Sequence, residues 1–507
     1  MVHRGKLSAA CGPCRSRRLK CDQQRPFCSQ CIRAKRECSG YRDVTAGRFY
    51  DQTEEVKRKN SPSSPSASSS SSLLPHKRRL SLSDAFVPPQ VSVPLHDHGT
   101  AFMLARYLSQ DGPNEVRGAL GTFLPHILNT SPGRAVTASL NAVGSAALSI
   151  IHQSPQLMLT ARQEYVTALA ETNAALCDQM QSTSNASLVA VAFLGMFEIM
   201  TCSGRPLMEK YLNHVAGSAK LLQLRGSDQL KDYIGLALFS QFRTTIVLGN
   251  FWLKKSTPSW LINLSHEALA YRGENECVGD ELFLLMAKVG DLCAGLRDGA
   301  FIEPVKIIEK GLKLDAELSA WAMSLGSNQR YTVVNVPEPA NEVYRFPHFR
   351  HVYGNRYHMY PDTVVAAWWN DYRFVRLILR ELICWLCDHL ASKDKDAGSE
   401  YRQTIAHSTT LSQQLTADVC ASVPYHLGAT KESPREDWSS TRTGGMIRLI
   451  WPLFIAADCA GATPEMVDWI ADTLFKIGCG VGIQQAIVMS NLIRSGHHLS
   501  WLPELVV

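Results

Sequence analysis

From about position 101 to the C-terminus, apolar residues recur at three- and four-residue intervals, the period of one helical face. In YLNHVAGSAKLLQLRG (211–226), Leu212, Val215, Ala219 and Leu222 share a face, and Gly226 is placed as a stop. TPEMVDWIADTLFKIG (463–478) has Thr463 as N-cap, Pro464 at the first helical position and Gly478 after the end. Val467, Ile470, Leu474 and Ile477 form its buried stripe. The stretch 364–390 spaces Val365, Trp368, Tyr372, Val375, Leu379, Leu382 and Leu386 as a coiled-coil seam would. Trp369, Ile378 and Ile383 widen that stripe, which favours a helix buried inside a domain. Strand-like alternation is nearly absent, YTVVNV (331–336) being the main candidate, and loops are expected around 325–361 and 421–444. The pattern predicts an all-α body over 101–507, in one or two lobes.

The pattern stops before residue 101. Segment 46–100 is Ser- and Pro-rich, with NSPSSPSASSSSSS at its centre, and has too little apolar surface to fold; it is expected to be a disordered linker. It holds two basic knots, KRK at 57–59 and KRR at 77–79, which read as nuclear import signals. Arg78-Arg79-Leu80-Ser81 has the form of a basophilic kinase substrate. No sustained heptad lies between 42 and 100, so a zipper-type dimer is not expected there.

Residues 11–38 read CGPCRSRRLKCDQQRPFCSQCIRAKREC, six cysteines spaced C-x2-C-x6-C-x6-C-x2-C-x6-C. Cys11, Cys14 and Cys21 map onto Cys28, Cys31 and Cys38 with a constant offset of 17, and Arg18 maps onto Lys35. The start of the chain carries no apolar run for secretion, and the longest apolar stretch noted, 188–197, is about half of the roughly 20 residues a membrane span needs. The expectation is a protein of a reducing compartment with no membrane partner, where crowded thiols act as metal ligands rather than disulfides. Structural zinc takes four thiolate or imidazole ligands, so six cysteines serve two zinc ions if two sulfurs are shared. Sharing the first cysteine of each half, Cys11 and Cys28, is the symmetric choice. Metal storage and redox clusters are weaker readings, because the other nine cysteines are dispersed.

Charge sharpens this. Residues 1–43 carry eleven Lys/Arg against Asp22, Glu37 and Asp43, a formal +8 in a chain whose total is +6. A compact basic module on a mildly acidic body is what a polyanion-binding protein looks like.

The ACxxCRxRRLKCD run, Pro26 and the trailing Gly40-Tyr41 resemble the DNA-binding module of the fungal zinc binuclear cluster (Zn2Cys6) transcription factors, over about residues 8–43. The resemblance implies that Cys11 and Cys28 bridge two Zn2+, with Cys14 and Cys21 completing one site and Cys31 and Cys38 the other. It implies that each CxxC begins a short helix, the first pointing into the major groove of double-stranded DNA, and CGG-type triplets read by basic residues before the third cysteine. Those residues here are Arg17, Arg18 and Lys20. An arginine bonds guanine O6 and N7 bidentately, so Arg18 is expected on bases with Arg17 assisting; Arg15, Lys20, Arg33 and Lys35 then lie towards phosphate. HVAGSAKLLQLRG, AAWWNDYRFVRLIL and KIGCGVGIQQA resemble the fungal-specific helical regulatory domain that accompanies many such clusters.

Other chemistry finds little support. GCGVG (478–482) follows a helix rather than a strand, which argues against a nucleotide loop, and no G-x-S-x-G, H-E-x-x-H or P-loop occurs. Cys384 and Cys387 read as core thiols, and His348, His351 and His358 as loop histidines, like His96, His98, His497 and His498. The expectation is a nuclear, non-enzymatic regulator of RNA polymerase II genes. Its module spans 1–45 and its helical body, 101–507, controls output, forms a homodimer and meets co-regulators. The competing reading is a metabolite-binding or enzymatic helical protein carrying a zinc-dependent interaction module.

Overall fold

The structure is a computed structural model, and it describes residues 10–24, 27–39, 95–107, 119–130, 132–201, 207–273, 277–297, 303–336, 352–393, 398–434, 438 and 441–496. Two compact units divide between Pro89 and Gln90. The Ser/Pro-rich segment with its basic knots and Ser81, and also His348, His351, His497 and His498, lie outside the described residues.

The first unit holds two one-turn helices, α1 (Gly12–Ser16) and α2 (Ser29–Arg33). Each starts directly after the first cysteine of a CxxC pair. Pro13 fits the first turn of α1, where its missing N–H costs no hydrogen bond. At α2 the Cys28 sulfur accepts from the Cys31 N–H at 3.4 Å, so the prospective ligand is also the N-cap.

Among its described residues the second unit is helical apart from one antiparallel strand pair, and its first helix begins at Leu95, inside the segment expected as linker. Its first half contains α3 (Leu95–Tyr107), α4 (Ala119–Thr130), α5 (Gly133–His152), α6 (Pro155–Cys177), α7 (Asn185–Thr201), α8 (Leu207–Arg225), α9 (Tyr233–Leu253) and α10 (Ser259–Ala268). After α11 (Val278–Arg297) and α12 (Pro304–Ser324) come strands β1 (Thr332–Asn335) and β2 (Arg356–Met359), then α13 (Thr363–Lys393) and α14 (Gly398–His426). The closing elements are α15 (Ile450–Asp458), α16 (Pro464–Ile477) and α17 (Gln484–Arg494). One continuous apolar core runs through this unit, so the two-lobe alternative does not apply to it.

Helix α5 is apolar and long enough by composition to cross a membrane, a candidate more extended than 188–197. It is instead mostly buried, packed on α3, α6 and α7. Helix α16 follows most of its sequence signals: the Thr463 hydroxyl accepts from the Met466 N–H at 3.4 Å, and Ile470, Leu474 and Ile477 are buried, while Val467 of the expected stripe is half-buried. The GCGVG run continues it as a wide π-type turn, Gly478–Gly482, laid against α5. Gly482 has φ +83°, and a Cβ there would meet the Ala147 carbonyl oxygen at 2.4 Å. Close packing accounts for that glycine.

Helix α13 is buried over most of its length, as expected of a helix inside a domain rather than an exposed coiled-coil seam. Val365, Tyr372, Val375, Leu379, Leu382 and Leu386 are covered, and so are Ile378 and Ile383 on another face, by α11, α12, α14 and α15. Cys384 and Cys387 are core thiols as expected, and burial pushes each up to about 11. The loop expected from 421 starts later, because α14 continues to His426.

The YTVVNV strand is present and pairs antiparallel with β2, Thr332 opposite Met359 and Asn335 opposite Arg356. His358 therefore sits on a strand, 1% exposed, and not in a loop. Its Nδ1 faces the Arg373 guanidinium at 3.2 Å and must accept, which leaves Nε2 as the protonated nitrogen, 3.6 Å from Asp418.

Burial, then Arg373 and Arg356, depress His358 to about 2; burial depresses His426 to about 4. Unfolded imidazoles titrate near 6.5, so the stability tied to both neutral rings is complete above that pH and is lost as pH falls, at about 1.4 kcal/mol per unit for each. Glu381 acts oppositely: burial raises it to about 7, so its cost is relieved as pH drops from there towards 4.5. Of these three groups the two histidines outweigh the carboxyl, and His214, also depressed by burial, adds to the loss as pH falls from 6.5 to 5. The urea midpoint, followed by tryptophan fluorescence, is expected to fall over that range; a flat or rising midpoint contradicts these assignments.

Candidate metal centre and nucleic-acid interface

The first unit is organised around sulfur. Cys11, Cys14, Cys28, Cys31 and Cys38 are its buried cluster with Cys21 packed against it, while Leu19, Phe27 and Ile32 are exposed. Two groups of four sulfurs form, each with all atoms within 4.8 Å of one another: Cys11, Cys14, Cys21 and Cys28, then Cys11, Cys28, Cys31 and Cys38. Cys11 and Cys28 belong to both groups, and both have 0% exposure.

A zinc–sulfur bond of about 2.3 Å in tetrahedral geometry sets a sulfur–sulfur edge of about 3.8 Å. The separations are 3.6 Å for Cys11–Cys28 and 3.7 Å for both Cys11–Cys31 and Cys14–Cys28. The donor set thus fits two metals of zinc's size with two shared thiolates. Burial drives the Cys11 and Cys14 thiols upward and pushes Cys31 up to about 12, whereas hydrogen bonding to the Cys11 and Gln23 backbone draws Cys21 down. Zinc is bound by thiolate and not by thiol, so metal and protons compete for this core.

The two halves close their helices in the same way. Arg18 (φ 54°) and Lys35 (φ 48°) are left-handed. Leu19 N–H donates to the Cys14 carbonyl and Arg36 N–H to the Cys31 carbonyl, each at 2.9 Å. Arg18 N–H donates to Arg15 and Lys35 N–H to Ile32, at 3.2 and 3.0 Å. These are Schellman caps, normally finished by glycine. A large cation stands at each left-handed position, where it costs about 1–2 kcal/mol more than glycine would.

All six basic residues singled out in the sequence, Arg15, Arg17, Arg18, Lys20, Arg33 and Lys35, are exposed around the sulfur core. Only Arg15 and Arg33 lie inside a helix; Arg17 caps α1, and Arg18 and Lys20 follow it. Arg15 is partly tethered, its Nη1 donating to the Ala10 carbonyl at 3.4 Å. Among the described residues none of the six is paired with a carboxylate. The nearby acid Asp22 is engaged elsewhere, accepting from the Ser29 hydroxyl and, at 3.2 Å, from its N–H. Those bonds, the hydroxyl first, hold Asp22 below the usual carboxylate range and fix the start of α2. Sequence reasoning missed this role, and it also passed over Arg36, exposed beside Lys35.

Residues 9–47 match the fungal Zn(2)-Cys(6) binuclear cluster domain, a domain that binds two zinc ions. The chain thus carries the zinc-binding domain of the fungal binuclear cluster regulators. It is 27% identical over 201 residues to Transcription factor dbaG of Emericella nidulans, a match covering 38% of this chain and 45% of that protein. Two further relatives match over short stretches. White-opaque regulator 2 of Candida albicans is 49% identical over 40 residues, 8% of this chain and 9% of that protein. Transcriptional regulatory protein moc3 of Schizosaccharomyces pombe is 44% identical over 41 residues, 8% of each chain. The matches therefore span less than half of each of these relatives. No solved structure matches this chain.

Proposed function

We propose that the protein is a nuclear, sequence-specific DNA-binding regulator of RNA polymerase II genes, whose helical body from about residue 101 controls the output of a module at 1–45. Cys11 and Cys28 bridge two zinc ions, with Cys14 and Cys21 on one and Cys31 and Cys38 on the other. Arg18, assisted by Arg17, reads a CGG-type triplet, while Arg15, Lys20, Arg33 and Lys35 hold phosphates. The observation carrying this reading is the set of exposed cations, none with a carboxylate partner among the described residues, on a unit whose core four-sulfur zinc sites fit. The left-handed placement of Arg18 supports it as well, since a glycine would serve the cap at lower cost and carry no charge. A homodimer would have to use a face other than 365–386.

Base-edge contacts discriminate among sequences, whereas phosphate contacts strengthen binding to any duplex. Arg18→Ala is therefore expected to lose about 1–3 kcal/mol on a CGG-containing duplex and little on a scrambled one. Lys20→Ala is expected to weaken both alike and lower the salt slope by about one counterion. Titrations of both variants on both duplexes at several salt concentrations check this. Equal loss for Arg18→Ala on both duplexes removes it as the base reader.

A further inference from the structure

The helical body contains a cavity of about 190 Å³, bounded by α7, α8, α9, part of α13 and the segment around residues 447–452. Its walls are largely apolar, with Phe193, Phe374 and Trp451 among them. Engineered apolar cavities of about 150 Å³ take up benzene, so this space is sized for one ring with small substituents.

The polar groups in the wall say more. Tyr211, Ser218 and Gln241 line the cavity, and among the described residues none of their side-chain polar groups has a hydrogen-bond partner. Three unspent groups in one small apolar space are what an oriented ligand requires. Burial lifts the Tyr211 hydroxyl, against the pull of Arg448, up to about 12, so it remains a donor. Among the described wall residues the one ion pair is Arg448 with Asp371, at 2.5 Å; burial raises the Asp371 carboxyl and Arg448 opposes that rise. His214 is kept neutral by burial, and its Nε2 lies 3.4 Å from Tyr165, whose hydroxyl donates to Glu198. An incoming carboxylate would have to share Arg448 with Asp371, setting two anions side by side.

We propose that this cavity binds a neutral, ring-sized, mainly apolar molecule bearing a hydroxyl or carbonyl oxygen, held by Tyr211 with Ser218 and Gln241. The proposal does not depend on the DNA-binding reading, because binding is measured without DNA.

The test uses the full zinc-loaded chain with p-cresol, p-xylene and benzoate as probes, followed by saturation-transfer NMR and thermal shift. p-Cresol is expected to bind about fivefold more tightly than p-xylene, the worth of one net hydrogen bond, and benzoate more weakly than p-cresol. Ala192→Leu fills the cavity and is expected to abolish p-cresol binding. Tyr211→Phe is expected to erase the preference for p-cresol over p-xylene, and it decides the matter if Ala192→Leu does not fold. The proposal is overturned by p-cresol binding that survives both variants unchanged, by benzoate binding more tightly than p-cresol, or by no binding of p-cresol up to its solubility limit.

Discussion

Stripping zinc from the protein is expected to unfold residues 10–39 and leave the helical body folded. Among its described residues the first unit has no hydrocarbon core to fall back on: the buried cluster is sulfur, and Leu19, Phe27 and Ile32 face solvent. Structural zinc supplies about 10–16 kcal/mol in modules of this size, more than so few buried side chains could. Acid should mimic a chelator, because the ligating cysteines must be deprotonated and protons compete with metal for them. Cys11→Ser and Cys28→Ser are expected to cost more than Cys38→Ser, since their sulfurs belong to both four-sulfur groups. Elemental analysis paired with NMR of the module gives the readout. One zinc per folded wild-type chain would falsify the shared-thiolate arrangement.

Asp315→Ala is expected to destabilise the helical body by about 3–5 kcal/mol, the usual cost of leaving buried charge unpaired. Asp315 is 4% exposed and binds Arg376 bidentately, Nε to Oδ1 and Nη2 to Oδ2, both at 2.7 Å; Arg380 also donates to Oδ2. Arg376 is further braced by the Tyr372 hydroxyl at 2.7 Å. Removing the carboxylate leaves two guanidinium groups buried side by side. Burial alone would raise the Asp315 carboxyl, but Arg376 and Arg380 overcome it and hold the group below its ordinary 3.8. Its stabilising contribution is thus complete above that value and is lost only as pH falls below it, separate from the histidine range. Urea unfolding at pH 7.5 measures the effect. Replacing Asp315, Arg376 and Arg380 together with Leu, Met and Met should recover most of the loss, because no charge is then stranded. A single variant as stable as wild type would show that the three groups are solvated.

What the sequence disclosed was local. The cysteine count and the 17-residue offset led to the sulfur core because ligand number constrains it directly. Thr463, Pro464 and the stripe after them announced α16 because capping and periodicity act within a few residues. Helix α13 was legible as a helix, but its stripe could not separate a seam from a core, since that depends on what surrounds it. Asp315 reaches Arg376 across 61 positions and Arg380 across 65, and no local pattern signals such a pairing. The partner of β1 went unseen for the same reason, and with it the burial of His358. The caps at Arg18 and Lys35 were hidden because their usual marker, glycine, is absent.

The duplicated caps have a further consequence, concerning direction. Backbone geometry repeats between the halves, but side chains at matched positions do not: Arg15, Arg17 and Lys20 stand opposite Ile32, Ala34 and Glu37, and only Arg18 and Lys35 match in charge. A scaffold whose halves were alike in surface as well would sit on a duplex equally well facing up or down the strand. Arg33 and Arg36 of the second half stand in turn opposite Ser16 and Leu19, so polarity along the DNA is written in these unmatched side chains rather than in the fold. Making Ile32, Ala34 and Glu37 basic, and Ser16 and Leu19 as well, would leave a module with no heading.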